Sequence, residues 1–265
     1  MLRIPAIVGS GVLRVLGLAI LFSGLVGFYY KENNIGIYLL VLSLIYSVIG
    51  FLGNKFLRPK KQLNFTQGFA AVGLSWISLT IAGIVPYLVS LPDINFIDAL
   101  FETASGFSTT GSSVIVSPSE LPKAIQFWRS ITQWIGGMGI IILTISIMPL
   151  LGSGGLNLAK AESPGPNPDR LTPRFKDTAA ILWGVYLVFT ISQTLLLSLS
   201  GVDFFSSLNH SFTTLSTGGF STFDTSVSSF SNSTKLILCL FMFIAGTSFT
   251  LHYKSRRNLK EYLYS

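Results

Sequence analysis

Histidine and cysteine are nearly missing from this sequence. Its 265 residues hold one cysteine, Cys239, and two histidines, His210 and His252. A single thiol excludes an internal disulfide framework and any site built from several thiolates. Two histidines 42 positions apart offer no ligand spacing for zinc. Charge is scarce too: Asp, Glu, Lys and Arg make up 11% of the chain, against about 25% in soluble globular domains. Hydrophobic residues reach 49%, phenylalanine alone numbers 21, and the mean hydropathy is +0.61. So few charges cannot solvate a soluble protein of this length, and so many aromatics exclude disorder. No nucleophile–base constellation is present, so an enzyme is not expected.

What the chain does have is long stretches without charge, over residues 15–30, 33–54, 62–92, 130–159, 178–202 and 236–253. A helix needs about 20 mainly apolar residues to cross the hydrocarbon core. Each stretch reaches or approaches that length, which predicts six spanning helices in an all-α membrane protein. Arg3 and Arg14 ahead of the first stretch resemble a secretory signal, but no small-residue cleavage pattern follows Tyr30.

The remaining charges set the orientation. With the N-terminus in the cytoplasm, the inner segments carry 14 of the 18 Lys and Arg residues, including Lys55, Arg58, Lys60 and Lys61. The outer segments carry four: Lys31, Lys123, Arg129 and Lys235. Both termini are therefore expected in the cytoplasm. The net charge of +7 is topogenic, with attraction to anionic lipid, and no nucleic-acid partner is expected.

Two polar segments repeat. Residues 95–113 (NFIDALFETASGFSTTGSS) follow the third predicted span, and residues 203–221 (DFFSSLNHSFTTLSTGGFS) follow the fifth. At a constant offset of 108 they match without a gap, with six identities: Phe96/Phe204, Leu100/Leu208, Ser108/Ser216, Thr109/Thr217, Gly111/Gly219 and Ser113/Ser221. The order of span, polar segment and span thus occurs twice, as an internal duplication. Residues 204–223 have no charge, yet nine of the 20 are Ser or Thr. Phe204, Phe205, Leu208 and Phe212 have helical spacing, and Gly218-Gly219 favours extended or positive-φ backbone. A short helix followed by an extended strand reads as a re-entrant hairpin. Such backbone is tolerated at membrane depth only when buried in protein or lining a water-filled path. The plainer alternative is a pair of Ser/Thr-rich external loops.

Re-entrant strands of this kind suit cation dehydration. A path for K⁺ replaces the hydration shell with backbone carbonyls and Thr hydroxyls. The helix ahead of each strand aims its carbonyl end at the cation. Gly111 and Gly219, equivalent at the offset of 108, are expected to be the positions least able to accept a side chain, less able than Gly218.

The runs FETASGFSTTGSS, FWRSITQWIGGMGIIIL, KAESPGPNPDRLTPR and LSTGGFSTFD resemble the Trk/Ktr/HKT superfamily of potassium transporters, most closely its TrkH-like branch. The resemblance implies four repeats of helix, pore loop and helix around one ion path, preceded by an extra helix pair. It divides the chain into an extra pair at 1–61, a first repeat at 62–152, a cytosolic linker at 153–175 and a second repeat at 176–265. It also implies that Thr109, Thr110 and Gly111 form one quarter of a selectivity filter and Thr217, Gly218 and Gly219 another. K⁺ is then the transported ion, with no cofactor. A bacterial inner-membrane location, a cytosolic nucleotide-binding regulatory ring and a homodimer or larger assembly follow from the same resemblance. Two quarters do not encircle an ion. The expectation is therefore a chain truncated to two of four repeats or an assembly of two chains. The alternative is a non-conducting fragment with an assembly or regulatory role.

Other residues carry readings of their own. Glu102 and Asp98 stand where they could concentrate cations, and Glu102 could instead pair with Arg129. Gly136, Gly137 and Gly139 read as a helix-packing seam. His210 reads as a hydrogen-bonded pore-helix residue, and His252 as a cap on helix carbonyls. Cys239 reads as plain packing.

Overall fold

The computed structural model describes residues 3–56, 65–147, 171–247, 249, 251 and 252. Among these residues the regular structure is nine α-helices and one 3₁₀ turn at Pro118–Glu120. Helices α1 (Arg3–Tyr29) and α2 (Asn33–Phe56) form an antiparallel hairpin. Lys31, at φ 63°, turns the chain between them. A buried hydrogen bond from Ser43 Oγ to Gly17 O (2.7 Å) ties the pair across its interface.

The third predicted span is one path in two pieces, α3 (Phe65–Gly83) and α4 (Val85–Ser90). Pro86 causes the division. Its nitrogen has no hydrogen to donate to Ala82, four residues back. The Ala82 carbonyl is not left bare, because the Tyr46 hydroxyl of α2 donates to it at 2.8 Å. Helices α2 and α3 are thereby joined where a backbone bond is missing.

The chain continues through α5 (Phe96–Phe107), α6 (Lys123–Ile147), α7 (Leu171–Leu199), α8 (Phe204–Leu215) and α9 (Asn232–Gly246). Pro5–Tyr29, Asn33–Gly53, Ala70–Ser90 and Ala179–Leu199 are each long and apolar enough to cross a membrane. Helix α6, with 25 residues, is about 37 Å long at the usual rise. The sixth predicted span is broken: α9 has 15 residues and stops at Thr247, whose ψ is 145°. Helical backbone returns at 249, 251 and 252. His252 Nε2 lies 2.8 Å from the Ile244 carbonyl, beside the break, which is the capping role read from the sequence.

Helix α6 is the centre of the fold. Residues 124–133 are all buried, so this part of the helix is enclosed by protein on every side. Trp128 and Ile125 join the cluster formed by Leu16, Ile20, Tyr87 and Phe107, and Met138 joins the cluster of Leu182, Tyr186 and Phe241. Its entry is held by the turn of the first hairpin, where the Glu32 carboxylate accepts from the backbone N–H groups of Lys123 (2.6 Å) and Ala124 (3.0 Å). A carboxylate suits this place, because it meets free N–H groups and the positive end of the helix dipole.

The predicted cytosolic linker lies outside the described residues as far as residue 170, and residues 171–175 are the first turns of α7. Most of the inner basic residues also lie outside the described residues.

Replacing Tyr46 by Phe leaves the half-buried Ala82 carbonyl without a donor. The variant should lose about 1–3 kcal/mol of stability, seen as a lower melting temperature of the purified protein in detergent.

Candidate functional site

The duplication read from the sequence is a duplication of backbone. Helices α5 and α8 have 12 residues each, and their boundaries differ by the same offset of 108. Each starts with an acceptor side chain on the N–H of the third helical residue: Asn95 for Asp98 (2.9 Å) and Asp203 for Ser206 (3.0 Å). Each ends in the same C-terminal motif. Thr109 N–H donates to Gly106 O and Thr110 N–H to Ser105 O, both at 3.0 Å. Thr217 N–H donates to Thr214 O and Gly218 N–H to Thr213 O, both at 2.9 Å.

This motif places its first non-helical residue in the left-handed region, where glycine is usual. Here the residue is threonine both times, with φ 56° at Thr109 and at Thr217. A β-branched residue is an outlier there, and such strain costs about 1–3 kcal/mol per residue. Two residues on, the backbone is left-handed again, at Gly111 (φ 78°) and Gly219 (φ 86°). The identities at Thr109/Thr217 and Gly111/Gly219 are thus the two unusual φ positions of each segment. Ser113 and Ser221 repeat a turn as well: their hydroxyls accept from Ile115 N–H (3.0 Å) and Phe223 N–H (2.9 Å).

The two segments meet. A Cβ built on Gly111 would lie 1.8 Å from the Gly218 carbonyl oxygen, so the strands touch through backbone alone. Thr110, Thr217 and Gly219 are exposed, and Thr109, Gly111 and Gly218 are half-buried. All six residues named from the sequence therefore fall in two adjacent non-helical segments at the carbonyl ends of two short helices. A cavity of about 650 Å³ opens beside the second strand, lined by Thr217 and Gly219, by His210, and by Lys235, Cys239 and Met242 of α9.

Helix α6 wedges between the segments. A Cβ on Gly136 would lie 2.0 Å from Phe107 O, at the end of α5, and one on Gly137 would lie 2.9 Å from the Ser216 backbone, at the end of α8. The packing-seam reading of these glycines is what the structure has. Gln133, fully buried, accepts from Phe220 N–H at 3.1 Å. Arg129, 2% exposed, pairs with Glu102, 0% exposed, at 3.3 Å.

Glu102 is not at a cation-collecting mouth. Besides Arg129 it accepts from Ser113 Oγ (2.5 Å), Val114 N–H (2.7 Å) and Ile115 N–H (3.3 Å). Its counterpart at the offset of 108 is His210, whose ring stacks on Phe223 at 6.0 Å and meets Phe230 edge-on at 5.1 Å. Ile115 and Phe223 are also counterparts. One position in each repeat thus supports the turn after the strand, by charge in the first and by ring stacking in the second. That exchange of means hid the equivalence from a comparison of residue types.

The ranking of the glycines also changes. A Cβ on Gly218 would lie 2.4 Å from the Gln133 amide, whereas one on Gly219 meets nothing within 4 Å. Gly219 is constrained by φ alone and Gly218 by space alone. Gly111 is constrained by both. Gln133 was not singled out in the sequence, where one Gln in an apolar helix has no partner in view.

Among the described residues no group of His, Cys, Asp and Glu is arranged to hold a metal ion. Apolar helices around two re-entrant helix–strand segments define a multi-pass membrane protein of the pore-loop class. The family model described as TrkH, cation transport protein, matches residues 37–261, and the chain belongs to that family. Over 199 residues it is 46% identical to the Trk system potassium uptake protein TrkH of Vibrio parahaemolyticus, covering 74% of this chain and 41% of that protein. It is 38% identical over 261 residues to the protein of the same description from Escherichia coli, covering 94% of this chain and 54% of that one. The crystal structure of the potassium transporter TrkH from Vibrio parahaemolyticus superposes with a TM-score of 0.86 at 34% identity, over 100% of this chain and 55% of that one. The chain spans about half the length of the curated relatives it matches.

Gly219→Ala should cost about 1–2 kcal/mol for a side chain in the left-handed region. Gly111→Ala adds an overlap with the Gly218 carbonyl and should give little folded protein. Thermal melts and detergent-extracted yields of the two variants check this order.

The loops that follow the two short-helix segments are linked by Asp224, which accepts from Ser119 N–H (3.0 Å) and Ser119 Oγ (2.6 Å). The Ser119 hydroxyl and then its backbone N–H hold the Asp224 carboxyl below its ordinary value. The link is therefore complete above the usual carboxylate range and is lost as pH falls through the lowered value. Hydrogen exchange at the Ser119 amide should stay protected at neutral pH and lose protection in strong acid, and Asp224→Asn should weaken it at neutral pH.

Proposed function

We propose that this chain contributes two segments of the selectivity filter of a potassium-transporting membrane subunit, with Thr109, Thr110 and Gly111 in one and Thr217, Gly218 and Gly219 in the other. The observation that carries the reading is the repeated backbone: a helix carbonyl end, a left-handed Thr and a left-handed Gly, twice, in strands that touch at Gly111 and Gly218. Local strain kept in two copies is expected where carbonyl groups must face a path rather than pair with one another. The helix ends add partial negative charge on the same side, which favours a cation.

A ring around one ion needs four such strands, supplied by further repeats of the natural protein or by a second copy. Within that reading, residues 1–61 are an extra helix pair, 62–152 and 176–265 are two helix–pore loop–helix repeats, and 153–175 connect them on the cytosolic side. The location is the bacterial inner membrane with both termini in the cytoplasm, supported by the Lys and Arg asymmetry. A nucleotide-binding regulatory ring on the cytosolic side and a homodimeric or larger assembly belong to the same proposal. Relatives bearing potassium-uptake names support K⁺ as the ion.

The test is ion uptake by the natural protein in cells that lack their own K⁺ uptake. It should restore growth at low K⁺, and Gly219→Ser should lower the preference for K⁺ over Na⁺ before it lowers total flux. An unchanged preference in a well-expressed Gly219→Ser protein would show that the filter lies elsewhere.

A further inference from the structure

We propose that Arg129 is a positioning residue for cation selectivity: from a helix of the first repeat, and together with Gln133, it braces the filter strand of the second. This deepens the filter reading and rests on it.

The guanidinium of Arg129 is shared between the two repeats. On the first-repeat side Nε reaches Glu102 Oε2 at 3.3 Å and Nη2 donates to Ser113 Oγ at 3.1 Å. On the second-repeat side Nη1 donates to the Ser221 carbonyl at 3.3 Å, and the guanidinium lies over the Phe220 ring, 4.3 Å from its centre. One helical turn further, Gln133 accepts from Phe220 N–H and fills the space beside Gly218. Residues i and i+4 share a helix face, so a single edge of α6 grips the second strand at Gly218, Phe220 and Ser221.

The brace is one-sided. Counted from the helix starts at Lys123 and Asn232, Arg129 corresponds to Leu238 and Gln133 to Met242, and neither side chain can donate a hydrogen bond. The second strand therefore takes its placement from the first repeat.

The charges explain why Glu102 is needed. A buried guanidinium is costly unless it is paired and its N–H groups are satisfied. An uncompensated positive charge beside a cation path would also repel the ion. Glu102 cancels that charge while leaving the fork free to reach Ser113 and Ser221. Lysine can meet Glu102 as a point charge, but it lacks the planar fork that holds three acceptors at fixed angles.

Arg129→Lys in the natural protein separates positioning from simple structural support. The protein should reach the membrane at close to the natural amount. Its K⁺ over Na⁺ uptake ratio should fall roughly tenfold, the change expected for one lost charge-assisted hydrogen bond. Asp224→Asn, which cuts a cross-repeat link at the surface, should leave the ratio unmoved. A normal ratio in well-expressed Arg129→Lys would overturn the proposal. Should Arg129→Lys fail to accumulate, Gln133→Leu carries the test: a lowered ratio supports the brace, and an unmoved one overturns it. If the natural protein itself shows no preference for K⁺ in the same assay, it is the filter reading that fails.

Discussion

At membrane depth no water is at hand to satisfy a backbone N–H or carbonyl, and each unpaired group costs several kcal/mol. Most of this structure answers that constraint. Helices satisfy it along their length, and three interruptions among the described residues each have a specific remedy. Where Pro86 removes a donor, Tyr46 supplies one to Ala82. Where α9 stops at Thr247, His252 comes within hydrogen-bond distance of the Ile244 carbonyl. Where α5 and α8 end inside the protein, the same pair of reverse hydrogen bonds closes each terminus. The two segments that follow those termini keep Thr110, Thr217 and Gly219 exposed, which is what the filter reading proposed above requires.

Exposed backbone at this depth needs a rigid frame, and the frame is α6. A buried Arg is costly in a membrane helix and belongs on a face turned to protein. Helix α6 has such a face, because residues 124–133 are enclosed by protein. Its polar side chains therefore work inward. Gly136 and Gly137 bring it against the ends of both short helices, and Arg129 and Gln133 reach the turns beyond them. The ion pair with Glu102 gives little net stability by itself, since desolvation offsets most of the attraction. Its worth is in direction: it fixes where a fork of five donors points.

The helix pair at the N-terminus takes part in this frame. The turn between its helices supplies Glu32 to the first N–H groups of α6, and Tyr30 packs edge-on against Phe205 at the start of α8 at 5.2 Å. The pair is thus in contact with the entry of α6 and with the second short helix at once.

The all-helical character of the chain and the two repeated helix–turn segments were legible in the sequence. They depend on the absence of charge over long runs and on a repeat with fixed spacing, and both are local properties. The identities at the offset of 108 already marked Thr109, Thr217, Gly111 and Gly219, because left-handed backbone restricts residue choice at single positions. Tertiary structure decided the rest. Glu102 could collect cations or pair with Arg129, and only packing buried it. Gly218 and Gly219 look alike in a chain, yet one faces the Gln133 amide and the other faces open space. Gln133 and Arg129 gain their importance from residues 87 and 92 positions away. Sequence shows what each residue can do with its own backbone. What it does with a distant neighbour depends on distances of a few ångströms that exist only once α6 lies between the two repeats.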